Sequence, residues 1–183
     1  MRCQSKWQRR ILAIVSFAGA TFLASCRQTI DPPRSTAEER LRPAASPAIE
    51  PATGGTIYVP VYSTLLLGVS NSASMVHFAA TISVRNVSAS HPITLEWVRY
   101  YDSVGKHVRD YLDKLSTLPA LGSVEFVVPR SDTSGGPGAN FLIRWHAADM
   151  VDEPLVEAIM LGQSGNAGIS FSSRGRTVMR ADR

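Results

Sequence analysis

The run from Val76 to Arg85 constrains this chain more than any other stretch. Val76, Phe78, Ala80, Ile82 and Val84 alternate with His77, Ala79, Thr81, Ser83 and Arg85. A sustained period of two sends alternate side chains to opposite sides, which predicts a long strand with one buried face. Shorter runs repeat the pattern. Ile57, Val59 and Val61 alternate with Tyr58, Pro60 and Tyr62, and the same period recurs in Ile93, Leu95 and Trp97, in Val124, Phe126 and Val128, and in Phe141, Ile143 and Trp145. Leu155 to Leu161 and Ile169 to Ser173 are weaker strands. Asp102-Ser103-Val104-Gly105 places Asp and Gly where a type I turn prefers them, so Tyr100 to Tyr111 reads as a hairpin. Asn71, the Asn86 to His91 stretch, Gly122 and Ser134 to Gly138 punctuate the rest. Many short strands and no long segment of 3.6 period predict an all-β fold. The expected architecture is an antiparallel β-sandwich with immunoglobulin-like topology and Trp97 in its core. Pro60 has no amide to donate to a ladder, which predicts an edge or bulged position for the first strand.

This domain is expected over residues 55–178, with a short tail at 179–183. The first 25 residues read as a secretory signal. Arg2, Lys6, Arg9 and Arg10 precede an apolar run from Ile11 to Leu23, which is too short to span a bilayer. Leu23-Ala24-Ser25-Cys26 then looks like a lipobox, in which Cys26 is lipidated after cleavage. Cys3 leaves with the signal, so the mature chain keeps a single cysteine and no disulfide. Two or more acyl chains on Cys26 would give a durable membrane anchor. Residues 26–54 carry Pro32, Pro33, Pro43, Pro47 and Pro51 among small polar residues, which predicts a flexible tether. Ser35-Thr36-Ala37-Glu38 fits a capping box for a transient helix that Pro43 would stop. Four of the 19 Lys and Arg precede Cys26 and none of the 15 Asp and Glu does, which leaves 15 of each in the mature chain. The apparent basicity belongs to the signal, and a nucleic-acid partner is rejected on that ground. The expected location is the bacterial cell envelope, with the domain in the periplasm and the choice of inner or outer membrane open.

Little in the domain points to chemistry. His77, His91, His107 and His146 lack metal-ligand spacing, and no metal or other cofactor is expected. Gly162-Gln163-Ser164-Gly165-Asn166 departs from a nucleophile elbow at Asn166, where the elbow needs glycine, and reads as a loop between strands. Asp132 to Asn140 is the densest cluster of special residues. It reads as a wide connection capped by Asp132 and Ser134. The competing reading is a binding loop whose amides take an anion, or whose Asp132 and Asn140 supply oxygens to a cation. From Trp97 to Tyr101 large side chains occupy both faces of one strand. Either that strand is buried on both sides, or an aromatic face is exposed for binding. Arg174-Gly175-Arg176 reads as a solvated basic turn.

Several segments together resemble a known family. They are Tyr58-Val59-Pro60-Val61-Tyr62-Ser63, Thr81-Ile82-Ser83-Val84-Arg85-Asn86, His91-Pro92-Ile93-Thr94 and Tyr100-Tyr101-Asp102. Ser131-Asp132-Thr133-Ser134-Gly135-Gly136, Gly138-Ala139-Asn140-Phe141, Gly168-Ile169-Ser170-Phe171 and Ser173-Arg174-Gly175 complete the set. From Ile57 to Arg176 the chain resembles the bacterial "domain of unknown function 3124" family of envelope proteins. The resemblance implies no activity and no catalytic residue. It adds interest to the Asp132–Asn140 loop and to Arg174. The candidate binding set is therefore Asp132, Thr133, Ser134, Gly135, Gly136, Asn140, Arg174, Tyr100 and Tyr101. The leading expectation is a non-enzymatic module that binds or scaffolds another envelope protein or a glycan. The alternatives use the same loop. One is a hydrolase or transferase that combines Asp132 and Ser134 with a histidine, His146 first, and the other is a cation-binding module.

Overall fold

The computed structural model of the protein describes residues 40–45, 51–68 and 74–180. The expected signal peptide, Cys26, the capping box and Asn71 lie outside the described residues. Within them the chain forms β1 (Arg42–Pro43), β2 (Thr53–Pro60), β3 (Thr64–Leu67), β4 (Ser74–Arg85), β5 (Ile93–Tyr101) and β6 (His107–Leu112). It continues as β7 (Ser116–Leu118), β8 (Ser123–Val128), β9 (Asn140–Ala147), β10 (Leu155–Ser164), β11 (Ala167–Arg174) and β12 (Arg176–Arg180). The strands build two antiparallel sheets. The first runs β1-β7-β5-β9-β2-β12, with β6 also on β5, and the second runs β11-β10-β4-β3, with β8 also on β4. Two central strands, β4 and β5, each serve two partners on one side. β5 pairs with β7 through Ile93–Leu95 and with β6 through Val98–Tyr101, while β4 pairs with β3 and then with β8.

The alternation read from the sequence decides what is buried. Val76, Phe78, Ala80, Ile82 and Val84 of β4, beside Val124, Phe126 and Val128 of β8, share one apolar core with Ile57 and Val59 of β2 and Phe141, Ile143 and Trp145 of β9 in the other sheet. Antiparallel sheets with one wet face keep such clean alternation, because a slip of one residue would expose the whole apolar set. The two antiparallel sheets are those expected, but their strand order is not that of an immunoglobulin sandwich, since β2 lies beside β9 and β10 beside β4. At Gly175 the chain passes from the second sheet to the first, so close to Ile57 and Val156 that a Cβ there would sit 2.7 Å from Ile57 Cγ2.

Several expectations change. Trp97 is not a core residue. The β5–β9 register shifts between Leu95 and Trp97, which leaves Glu96 as the extra residue of a β-bulge. The bulge inverts the phase, so Val98 and Tyr100 turn inward after Leu95, and Trp97 lies half-buried on the outer face. Pro60 is not in an edge strand. It is the last residue of β2, pairs with Asn140 of β9, and lies beyond the reach of β12, which stops at Tyr58. Gly162 to Ser164 belong to β10 rather than to a loop, and the turn is only Gly165-Asn166. Gly165 has a φ of +57°, as expected for the first central residue of a type II′ turn.

The stretch expected to be a tether also contributes to the fold. Arg42 and Pro43 pair with Thr117 and Ser116 of β7, and Leu41 is only 9% exposed within the core cluster. Arg40 donates to Glu125 of β8 at 2.9 Å. Burying Leu41 and extending the β7 edge outweigh any helical continuation across Arg42. Apart from β1, the strands begin at Thr53 and run to Arg180, slightly beyond the expected 55–178.

Candidate functional site

The Asp132–Asn140 loop joins β8 to β9, and its polar groups are largely engaged by the protein itself. Asp132 Oδ1 accepts from the Ser134 amide at 3.0 Å and from the Ser134 hydroxyl, and Oδ2 accepts from Arg109 of β6. The Asp132 side chain is only 10% exposed. Gly135 O accepts from the amide and hydroxyl of Ser103 at 2.9 and 2.8 Å. Gly136 O accepts from the amide and hydroxyl of Ser63 at 3.2 and 3.0 Å. The Gly136 amide donates to Thr133 O, and the Gly138 amide donates to Ser103 Oγ. An anion would find these amides occupied, and a cation would have to displace Arg109 from Asp132. Asn140 sits in β9 opposite Tyr101, away from the loop's turn. Gly136 has a φ of +70°, where a side chain is strained. A Cβ on Gly135 would overlap Tyr100 Oη and Ala139. The loop is a structural clasp over the end of the sandwich.

Beneath the clasp lies an aromatic cluster. Tyr100 stacks at 4.9 Å on Phe141 and meets Tyr111 edge-on at 6.2 Å, while Tyr111 lies 5.1 Å from Phe141. Tyr100 is fully buried, so it cannot contact a partner as expected for a binding residue. Both phenol oxygens are shielded from solvent and lack a hydrogen bond of normal geometry. Burial raises the Tyr100 pKa, aided by the Asp132 charge and opposed by the Ser63 hydroxyl, Arg109 and the Gly135 amide. Burial pushes Tyr111 up to about 12.

The outer face of the β5–β6 hairpin is different. After the bulge, Trp97, Arg99 and Tyr101 point outward, and Arg99 and Tyr101 pair in register with Asp110 and His107. The Arg99 guanidinium lies 4.4 Å over the Trp97 ring and its Nε is 3.3 Å from Asp110 Oδ1. His107 Nε2 contacts the same carboxylate oxygen at 3.0 Å, and its ring meets Tyr101 edge-on at 5.5 Å. These contacts hold five side chains in a ladder, yet Arg99, Asp110 and His107 each keep about two-fifths of their side-chain area exposed.

On the same strand, the extra residue of the bulge makes a second arrangement with the neighbouring β9. Glu96 Oε1 lies 2.9 Å from His146 Nδ1 and 3.7 Å from Arg144 Nε. Arg144 in turn donates to Thr56 at 3.3 Å. His146 is six residues along β9 from Asn140, where the loop ends, or roughly 20 Å at the rise of a strand. The structure therefore does not bring His146 to Ser134, whose hydroxyl is bound to Asp132. The Ser134–His146 pairing that the hydrolase or transferase reading looked to first is not formed. Arg174 is not brought to the loop either. It lies opposite Glu157 on β11, three strands from β8 in the second sheet. His77 faces out of β4 with a shielded, unpartnered Nδ1.

Sequence reasoning included Arg99 within the Trp97–Tyr101 stretch but missed Glu96, Arg109 and Asp110. The available signal was the spacing of Leu95 and Val98. Two apolar residues three apart break a period of two, and mark a bulge between them.

No curated protein matches this chain. A solved structure described as "Crystal Structure of Thermotoga maritima 1070" is similar over 70% of this chain and 97% of that one, at 8% identity and a TM-score of 0.40. A family model described as "Protein of unknown function (DUF3124)" matches residues 54–178, which include both the clasp loop and the bulged hairpin, and the chain belongs to that family.

Proposed function

We propose that this protein is a lipid-anchored component of the bacterial envelope whose β-sandwich is a non-enzymatic recognition module. The outer face of the β5–β6 hairpin is its contact surface for another envelope protein. The signal of residues 1–25 and the lipidated Cys26 provide export and anchoring, and part of the 26–54 segment remains as the link to the membrane. The observation that carries the reading is the preassembled ladder of Trp97, Arg99, Asp110, His107 and Tyr101. Trp, Tyr and Arg dominate protein–protein hot spots, and side chains already fixed by neighbours lose less entropy on binding. A protein partner fits better than a glycan. A sugar ring would stack on a free aromatic face, and the Arg99 guanidinium covers one face of Trp97.

Photocrosslinking in intact cells tests this. A crosslinking residue at position 101 should give a discrete adduct that disappears with Arg99→Ala, while one at Ser172 on the outer face of the second sheet should give none. Equal adducts from both positions, or none from either, would refute the surface. Cys26→Ser should release the protein from membranes, and unchanged membrane retention would refute the anchor.

A further inference from the structure

Beyond the hairpin surface, and independently of it, we propose that the outer face of the first sheet carries a binding site for a small, uncharged, polyhydroxylated ligand of the sugar class. A cleft of about 410 Å³ opens beside His146, bounded by Pro43, Pro51, Ala148, Thr94 and Thr117. This lies within the size range of small-molecule sites. The His146 side chain is only 10% exposed. The 2.9 Å contact to the Glu96 carboxylate places a proton on Nδ1, and in the neutral imidazole Nε2 is then the acceptor. Nε2 has no partner among the described residues and is the ring nitrogen left for the cleft. Thr94 pairs in register with His146 on one side and with Thr117 on the other. The three residues therefore form a row across β9, β5 and β7, on backbones one strand spacing or about 4.8 Å apart. Neither hydroxyl has a partner among the described residues.

The chemistry of this row selects the ligand. A fixed acceptor beside two groups that both donate and accept suits several hydroxyls on one rigid ring. Among the described residues no charged side chain lines the cleft, and nearby Glu96 is engaged by His146 and Arg144. Prolines and alanines provide apolar walls for the C–H faces of such a ring. Glu96 acts as a positioning residue here, because it touches the imidazole rather than the ligand.

Titration of the full chain with glucose and with N-acetylglucosamine, followed by NMR of the His146 ring and of the Thr94 and Thr117 methyls, tests the site. Saturable millimolar shifts are expected at these three residues. Thr117→Val, which keeps the shape and removes one hydroxyl, should weaken binding about fivefold, the worth of one hydrogen bond. Glu96→Ala should move the neutral His146 ring from the Nδ1–H to the Nε2–H tautomer and weaken binding, and Glu96→Gln should restore both. The absence of saturable shifts with both sugars overturns the proposal. So does equal affinity in Thr117→Val and Glu96→Ala proteins whose melting temperatures match the parent.

Discussion

The Asp132–Asn140 loop and the outer face of the β5–β6 hairpin invert what their sequences advertise. The loop collects Asp, Ser, Asn and glycines, the residues that binding loops use, and it directs most of that polarity inward. The hairpin face is made of ordinary strand residues, and it leaves an ordered row of side chains facing water. Turn-forming residues are conspicuous because backbone geometry demands them, so they mark where the chain bends before they mark a site. The test with the largest expected effect is Gly135→Ala. Its Cβ would overlap Tyr100 Oη and Ala139, neither of which has room to retreat. The expected loss is about 3 kcal/mol, the upper end for overpacking, read as a lower melting temperature. A variant with unchanged melting temperature and lost partner binding would reverse the comparison and make the loop the site.

Asn86 sharpens the same contrast from the opposite end of the sandwich. It is buried, donates to His91 O, Leu118 O and Pro119 O at 2.9, 3.3 and 3.0 Å, and accepts from the Ser88 amide at 2.9 Å. Asn86→Ala would leave those carbonyls unpaired in a dry setting, at a cost of about 2 kcal/mol. Denaturant unfolding should show a lower midpoint with an unchanged slope. A midpoint equal to the parent's would mean that water replaces all three bonds.

Much of the fold was legible in the sequence because burial on one face of a strand leaves a period-two record. The runs at Val76–Val84, Val124–Val128 and Phe141–Trp145 sit where that record puts them, and the Asp102–Gly105 turn closes its hairpin. The record fails where the period is interrupted. Glu96 and Trp97 fall within a bulge, and reading straight through it put Trp97 inside and hid Tyr100. Leu41 was illegible for a different reason. A single apolar residue in a proline-rich stretch has no periodicity, and only its contact with the distant β7–β8 side of the sandwich shows that it is buried. The candidate site was the least legible part. Arg174 and the loop share no neighbourhood, and the Glu96–His146 contact joins residues fifty apart through a register that no local pattern encodes.

The hairpin face should respond in the reverse way to the loop. Trp97→Ala and Arg99→Ala remove groups that are partly exposed and paired at the surface, so their effect on stability should stay within about 1 kcal/mol. Their effect on the photocrosslinked adduct should be complete. Thermal melts of the two variants beside the crosslinking assay separate the outcomes. A large drop in melting temperature would make the ladder a structural device like the loop, and the contrast between the two regions would dissolve.

Tyr111 joins the two regions and gives the smallest effect. It stands on β6, and the Arg109 beside it reaches across to Asp132 of the loop. Its phenol is held at about 12 against an ordinary 10.0, so the folded protein holds this proton more tightly than the unfolded chain. The stabilisation is present in full below the unfolded value and is lost as pH rises through the folded one, between about 10 and about 12. Tyr111→Phe removes the titrating group, and should flatten part of the alkaline fall in stability while Tyr100 continues to contribute. At neutral pH the change should be within about 1 kcal/mol, because the lost hydroxyl is buried without a hydrogen-bond partner. Denaturant midpoints at neutral and alkaline pH measure both arms. An alkaline fall as steep as the parent's would show that the phenol under the Arg109–Asp132 pair reaches solvent, and that the loop clasps the hairpin less tightly than its contacts indicate.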